Sequence, residues 1–139
     1  MVKMKLYNSF NIKKNHKNSI ILIGNFDGFH LGHQKVIKTG KNLAKKNKLK
    51  FGLLVFHPLP VMFFNKKINS FRIDTLKQKI ENSKKLGIDF IIIKKFDKNF
   101  SKTIAIDPAQ NSLLLPLSTI KSGFVQTIFF SKFFSNKSL

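Results

Sequence analysis

The chain has 139 residues, 42% of them apolar, enough for one core, and no apolar stretch approaches the roughly 18 residues that a spanning helix requires. Zero cysteines exclude disulfides, thiolate zinc sites and cysteine nucleophiles, and the early lysines are followed by no signal-peptide core, so the expected location is the cytoplasm, away from membranes. A net charge of +20 suggests a polyanionic partner, yet Arg72 is the sole arginine among 26 basic residues, and the lysines are spread from Lys3 to Lys137. Guanidinium stacking and bidentate guanine contacts are therefore nearly unavailable, and the lysines read as filling the solvent face rather than a specific nucleic-acid surface.

The first clear element is Ser19-Ile-Ile-Leu-Ile-Gly24, an apolar β-branched run that reads as a buried parallel strand. Turn formers follow at Asn25-Phe-Asp-Gly28, and then Val36, Ile37, Gly40, Leu43 and Ala44 recur at helical spacing. A second strand is expected at Phe51–Phe56, stopped by Pro58 and Pro60. Thr75-Leu-Lys-Gln78 matches a capping box, Ile73, Leu76, Ile80 and Ser83 suit one face of the helix it opens, and Gly87 suits its end. Phe90–Ile93 is a third buried strand. The order β-α-β-α-β calls for a parallel sheet with its ligand at the carboxyl ends of the strands. Beyond about Ser101 no periodicity persists, and Pro108 and Pro116 interrupt what remains.

His30 and His33 lie three residues apart, with Gly32 between them, where the first strand gives way to the first helix. Both imidazoles can share one helical face, at the positive end of the helix dipole and beside unpaired N–H groups that make an anion site. Gly32 leaves room for a phosphate, and Gly28 permits a turn that other residues resist. This suits nucleotidyl transfer, which requires positioning and charge stabilisation more than covalent help. Asp27 is either a turn residue bonding its own backbone or a neighbour of Mg²⁺ on the phosphates, and no resident metal site is expected. Asn25 and Phe26 read as turn and packing residues, His16 as solvated and His57 as a loop residue.

Gly24-Asn-Phe-Asp-Gly-Phe-His-Leu-Gly-His-Gln34 resembles the signature of the HxGH nucleotidyltransferase superfamily in the form used by bacterial bifunctional riboflavin kinase/FAD synthetases. Phe56-His-Pro-Leu-Pro-Val-Met-Phe-Phe64 is similar to that family's Phe-x-Pro-x-Pro segment, with Leu59 where many members carry histidine. Arg72-Ile73, Lys79, Leu86-Gly-Ile-Asp89 and Phe96–Ser101 follow in the family's order. The resemblance implies a Rossmann-like α/β sheet and an FMN adenylyltransferase that makes FAD and pyrophosphate from FMN and ATP with Mg²⁺. It implies that His30 and His33 contact the ATP phosphates, that Gly24, Asn25, Phe26, Asp27, Gly28 and Gly32 line the nucleotide pocket, and that Phe56, Pro58 and Pro60 border the flavin.

After about Thr103 the family's later blocks, including an arginine-bearing triphosphate motif and the kinase barrel, have no counterpart. The expectation is a partial FAD synthetase domain over 1–104, a sheet incomplete at its carboxyl end and an unassigned tail over 105–139, as a truncated or frameshifted frame would give. Kinase activity is then expected to be missing. The tail should pack poorly, leave Phe129 and Phe133 exposed and promote self-association, while the opposite face of the sheet lacks its helices. Two other functions compete: an HxGH cytidylyl- or adenylyltransferase with another acceptor, and a basic nucleic-acid-binding module. Oligomeric state is not legible.

Overall fold

The computed structural model describes residues 3–59, 62–63, 66–67 and 74–103, and the backbone of 105–107, 112–114 and 127–130. The elements in chain order are β1 (Lys5–Tyr7), a 3₁₀ turn (Lys14–His16), β2 (Ser19–Ile23), α1 (Leu31–Lys46), β3 (Lys50–His57), α2 (Leu76–Lys85), β4 (Phe90–Lys95), α3 (Lys98–Thr103), β5 (Ala105–Asp107), β6 (Ser112–Leu114) and β7 (Thr127–Phe130). β2, β3 and β4 fall where the apolar runs put them, and the α/β reading holds. Five parallel strands form one sheet in the order β1-β4-β3-β2-β7, and β5 and β6 pair separately and antiparallel.

Alternation along each strand divides the core in two. Ile20, Leu22, Leu53, Val55 and Ile91 face the layer of α1 and α2, meeting Ile37 and Ala44 of α1 and the half-buried Ile80 of α2. Ile21, Ile23, Leu54, Phe56, Phe90 and Ile92 face the other way. α2 ends as its sequence suggests, and α1 ends in the same way without a glycine. After α2, Gly87 takes φ +69°, with its N–H donating to the Lys84 carbonyl and that of Ile88 to the Ser83 carbonyl, and after α1 Lys48 makes the same left-handed stop at φ +54°. The capping box of α2 is present: Gln78 N–H donates to Thr75 Oγ1 at 3.2 Å, and Thr75 N–H donates to Gln78 Oε1 at 2.8 Å. Leu76, Ile80 and Ser83 lie on its inner face as expected, Ile73 lies outside the described residues, and Lys79 joins that face as well.

The second face of the sheet corrects the expectation that it lacks cover. Tyr7 and Ile12 from the lead-in, and Phe96 and Phe100 around α3, bury it, with Phe10 and Phe63 packed at the rim. The Phe96 ring meets Phe56 at 5.7 Å, Phe63 at 5.3 Å and Phe100 at 5.9 Å, each edge-on. Asp97 immediately precedes α3, and its Oδ1 accepts the Phe100 N–H at 2.8 Å. The aperiodic lead-in and short α3 gave no sign of this, because neither carries a repeat of its own.

His16 is a further correction. It is buried, its ring stacks on Phe90 at 4.7 Å, its Nδ1 shares a 2.6 Å hydrogen bond with the Tyr7 hydroxyl, and its carbonyl accepts from Ser19 Oγ at 2.6 Å. Burial pushes its imidazole below the ordinary 6.5. Gly52, the register partner of Phe90, has no side chain because a Cβ there would run into the Phe90 ring. A lysine-rich neighbourhood suggested solvent, and the ring that His16 stacks on belongs to β4, far along the chain.

In the region of the expected tail, β7 runs parallel beside β2, pairing Thr127 with Ile21 and Phe130 with Ile23 across an irregularity. A stretch read as aperiodic thus forms an edge strand, since the open ladder of β2 supplies the hydrogen bonds that pattern alone does not reveal. Phe129 falls within β7, while Pro108, Pro116 and Phe133 lie outside the described residues. Replacement Phe96→Ala removes a ring that is 1% exposed and should destabilise the chain by about 3–5 kcal/mol. Urea unfolding read by far-ultraviolet circular dichroism checks this, and a loss under about 1 kcal/mol, the scale of a surface change, would mean that the second face is not a core.

Candidate active site

β2 feeds the site from inside the sheet, next to the edge strand β7. Its neighbours are β3, which follows it in sequence, and β7, which comes last, so the strand order reverses at β2. Crevices open at the carboxyl end of such a reversal. Gly24 extends the β2 ladder by donating to the Leu54 carbonyl at 3.1 Å, and the chain then turns sharply.

The turn holds three residues in the left-handed region: Phe26 at φ +46°, Gly28 at +68° and Phe29 at +40°. For glycine this is easy, whereas for each phenylalanine it costs on the order of 1–3 kcal/mol. Burial offsets that strain. Phe26 is 0% exposed and Phe29 is 6% exposed, their rings lie 6.3 Å apart, and Phe26 also meets the His33 ring at 5.3 Å. Phe26 is thus a packing residue, and only its backbone is left for a ligand.

His30 is the N-cap of α1, and its Nδ1 accepts the His33 N–H at 3.4 Å. An accepting Nδ1 leaves the ring proton of the neutral form on Nε2. The two imidazoles stack with centroids 3.7 Å apart, as their spacing predicted. His30 and Gly32 are exposed, and Leu31 between the histidines is 82% exposed. Gly32 has a reason that the sequence did not show: a Cβ there would stand 3.1 Å from the His30 ring, so glycine keeps the ring over the helix end. Gln34 braces the approach, its Nε2 donating to the Phe29 carbonyl at 2.9 Å.

His33 is the more enclosed of the pair. Desolvation first, then His30 and the Lys79 ammonium, lower its pKa from 6.5 to about 4, against the opposing pull of Asp27. It is neutral at pH 7, with Nδ1 buried and without a hydrogen-bond partner among the described residues.

Behind the histidines lies a network that the sequence did not reveal. Lys79 Nζ donates to the Asn25 carbonyl at 2.6 Å and lies 3.8 Å from Asp27 Oδ1. Asp27 Oδ1 accepts the Asp74 N–H at 3.1 Å, and Asp74 Oδ2 accepts the Gly28 N–H at 2.9 Å. Asp27 is therefore bound across the fold. Its inward oxygen is committed to this network, and no group of three or more metal-ligating side chains exists among the described residues.

Asp74 and Lys79 also line a cleft with Val55, Phe56, His57, Leu59 and Leu76, past the end of β3. Phe56 lies within β3 and packs into the second core, Pro58 is half-buried just beyond the strand, and Pro60 lies outside the described residues.

A family model described as FAD synthetase matches residues 12–127. The chain belongs to that family. Its match runs past residue 104, to the edge of β7. Among relatives of this FAD synthetase chain, a bifunctional riboflavin kinase/FMN adenylyltransferase of Buchnera aphidicola subsp. Schizaphis graminum (strain Sg) is 39% identical over 108 residues, 78% of this chain and 35% of the relative. The protein of the same description from Bacillus subtilis (strain 168) is 36% identical over 91 residues, 65% of this chain and 29% of the relative. The chain thus spans about a third of the length of the curated relatives it matches. A solved structure described as a macrolide-efflux protein from Streptococcus pneumoniae superposes with a TM-score of 0.62 at 19% identity, covering 76% of this chain and 36% of that one. That likeness concerns the fold alone.

The depressed pKa of His33 fixes a sign for pH dependence. Unfolded, the ring takes up a proton near 6.5, and folded it does so only near 4. In that window the unfolded chain binds more protons, so the contribution of His33 to stability is complete above 6.5 and is lost as pH falls toward 4. His16 acts in the same direction. Thermal midpoints should fall between pH 7 and 4, and His33→Gln should flatten the slope. An equal slope in both proteins would show that His33 titrates normally.

Proposed function

We propose that this chain transfers the adenylyl group of ATP to FMN, giving FAD and pyrophosphate. The observation that carries the reading is the stacked His30/His33 pair at the N-terminus of α1, in a chain of the FAD synthetase family. Leu31 and Gly32 begin the helix, and their N–H groups have no acceptor among the described residues. Together with Nε2–H of His30, these donors point to where a phosphate chain accumulates charge.

An oxygen of the FMN phosphate attacks the α-phosphorus of Mg·ATP, a new P–O bond forms, and the bond from the α-phosphorus to the oxygen bridging to the β-phosphorus breaks. The electron pair of the broken bond leaves with Mg·pyrophosphate, and no covalent enzyme intermediate is needed. His33, neutral at pH 7, acts as a hydrogen-bond donor or acceptor through Nε2 and not as a fixed positive charge. Gly24, Asn25, Gly28 and the backbone of Phe26 form the floor of the nucleotide pocket, and Asp27 secures it. The cleft past β3, bordered by Phe56 and Pro58, suits the flavin side. A cytoplasmic setting belongs to the same reading and is motivated by the absence of cysteine. No helix among the described residues is long and apolar enough to cross a membrane.

Incubation of the whole chain with FMN, ATP and Mg²⁺ should give FAD and pyrophosphate in equal amounts, read by chromatography and a pyrophosphate assay. His30→Ala should lower kcat/KM by roughly a hundredfold or more, the scale for loss of one transition-state donor. Lys45→Ala, on the exposed side of α1, is the control. His16→Ala is unsuitable as a control because His16 is buried. Absence of FAD, or turnover only with another acceptor, overturns the reading.

A further inference from the structure

We propose that Lys79 and Asp74 are positioning residues for the histidine pair, acting through Asn25, Asp27 and Gly28 of the turn that carries it. The inference rests on the proposed reaction for its meaning in turnover, while its geometry stands independently. The turn from Gly24 to His30 is a poor conformation for its sequence, with two phenylalanines at positive φ. Hydrogen bonds and an ion pair hold it to a separate element: Lys79 to the Asn25 carbonyl, to Asn25 Oδ1 and to Asp27, Asp27 to the Asp74 N–H, and Asp74 to the Gly28 N–H.

Both outer members are buried, Lys79 at 6% and Asp74 at 9% exposure, which is unusual for charged side chains and requires that they be paired. Their place in the fold is equally specific. Asp74 immediately precedes the N-cap of α2 and Lys79 lies in its second turn, so one helix end fixes both. The clasp bonds span 46 to 54 residues of sequence and couple α2 to the β2–α1 turn.

Because Phe26, at the centre of the clasped turn, contacts the His33 ring, a shift of the turn moves His33 directly. A misplacement near 1 Å is enough to lose about a hundredfold in rate. The charged and titratable groups facing His33 are His30 at the N-cap of α1, Asp27 in the turn and Lys79 on α2. Lys79 thus reaches His33 in two ways, through the turn and through its charge.

The test uses the whole, ligand-free, isotope-labelled chain, so it is independent of whether FAD is formed. Lys79→Met keeps the aliphatic stem and removes the ammonium. Nuclear magnetic resonance titration should then show the His33 pKa rising from about 4 toward 6.5, because a neighbouring cation is lost and Asp27 is left uncompensated. The Gly28 amide should exchange faster than in the parent chain. An unchanged His33 titration in a folded Lys79→Met protein overturns the proposal.

If Lys79→Met does not fold, Asp74→Ala decides, since it unties Gly28 and leaves Lys79 in place. Faster Gly28 exchange together with weakened His30–His33 ring contacts supports the proposal, and intact ring contacts overturn it. In a chain that turns over, Lys79→Met should lower kcat on the order of a hundredfold with little change in the KM for FMN. A chain that makes no FAD but shows the His33 shift would refute the reaction and leave the positioning role standing.

Discussion

The ammonium of Lys79 lies buried between the Asn25 carbonyl and the Asp27 carboxylate, and the rest of the site is arranged around that contact. A buried cation is tolerated only where its donors meet acceptors, so the contact dictates where the Asn25–Gly28 turn must run. The turn in turn dictates where α1 begins, and the start of α1 sets both imidazoles. Strain at Phe26 and Phe29 is sustained because their rings are withdrawn into the core while their backbones are tied from the other side. The chemistry that the histidines offer is thus a property of the fold and not of the four-residue motif.

The same logic explains the protonation state of His33. Enclosure against Phe26, with Lys79 and His30 nearby, keeps His33 neutral at physiological pH. A site for polyphosphate that relied on charged imidazoles would weaken as pH rose through the usual histidine range. Donation from a neutral His33 and from the first N–H groups of α1 avoids that dependence. Net positive charge is still available from lysines across the surface, where it draws anions in without specifying any one of them.

Placement of the site follows from the sheet. Strands β2, β3 and β4 step one way with α1 and α2 on a shared face, and β7 joins on the far side of β2. The crevice therefore opens at the end of β2. Cover for the other face comes from pieces too short or irregular to advertise themselves: the lead-in with Tyr7 and Ile12, and the aromatic cluster of Phe96 and Phe100. His16 takes part in that cover by stacking on Phe90, a role that a run of neighbouring lysines conceals.

The sequence by itself determined β2, β3 and β4 as unbroken apolar runs, α1 and α2 as periodic segments, the caps of α2, and the His30-Leu-Gly-His33 spacing at a strand-to-helix junction. These are local signals, carried by residues within one or two turns of each other. Tertiary structure alone decided what joins residues far apart in the chain: Asp74 with Gly28, Lys79 with Asn25, Phe90 with His16, and the edge pairing of β7 with β2. Lys79 shows the limit most clearly. Apart from its place in the family's order, one lysine among 25 carries no mark in the sequence of the contacts it makes, and these follow from the burial that obliges its charge to find partners.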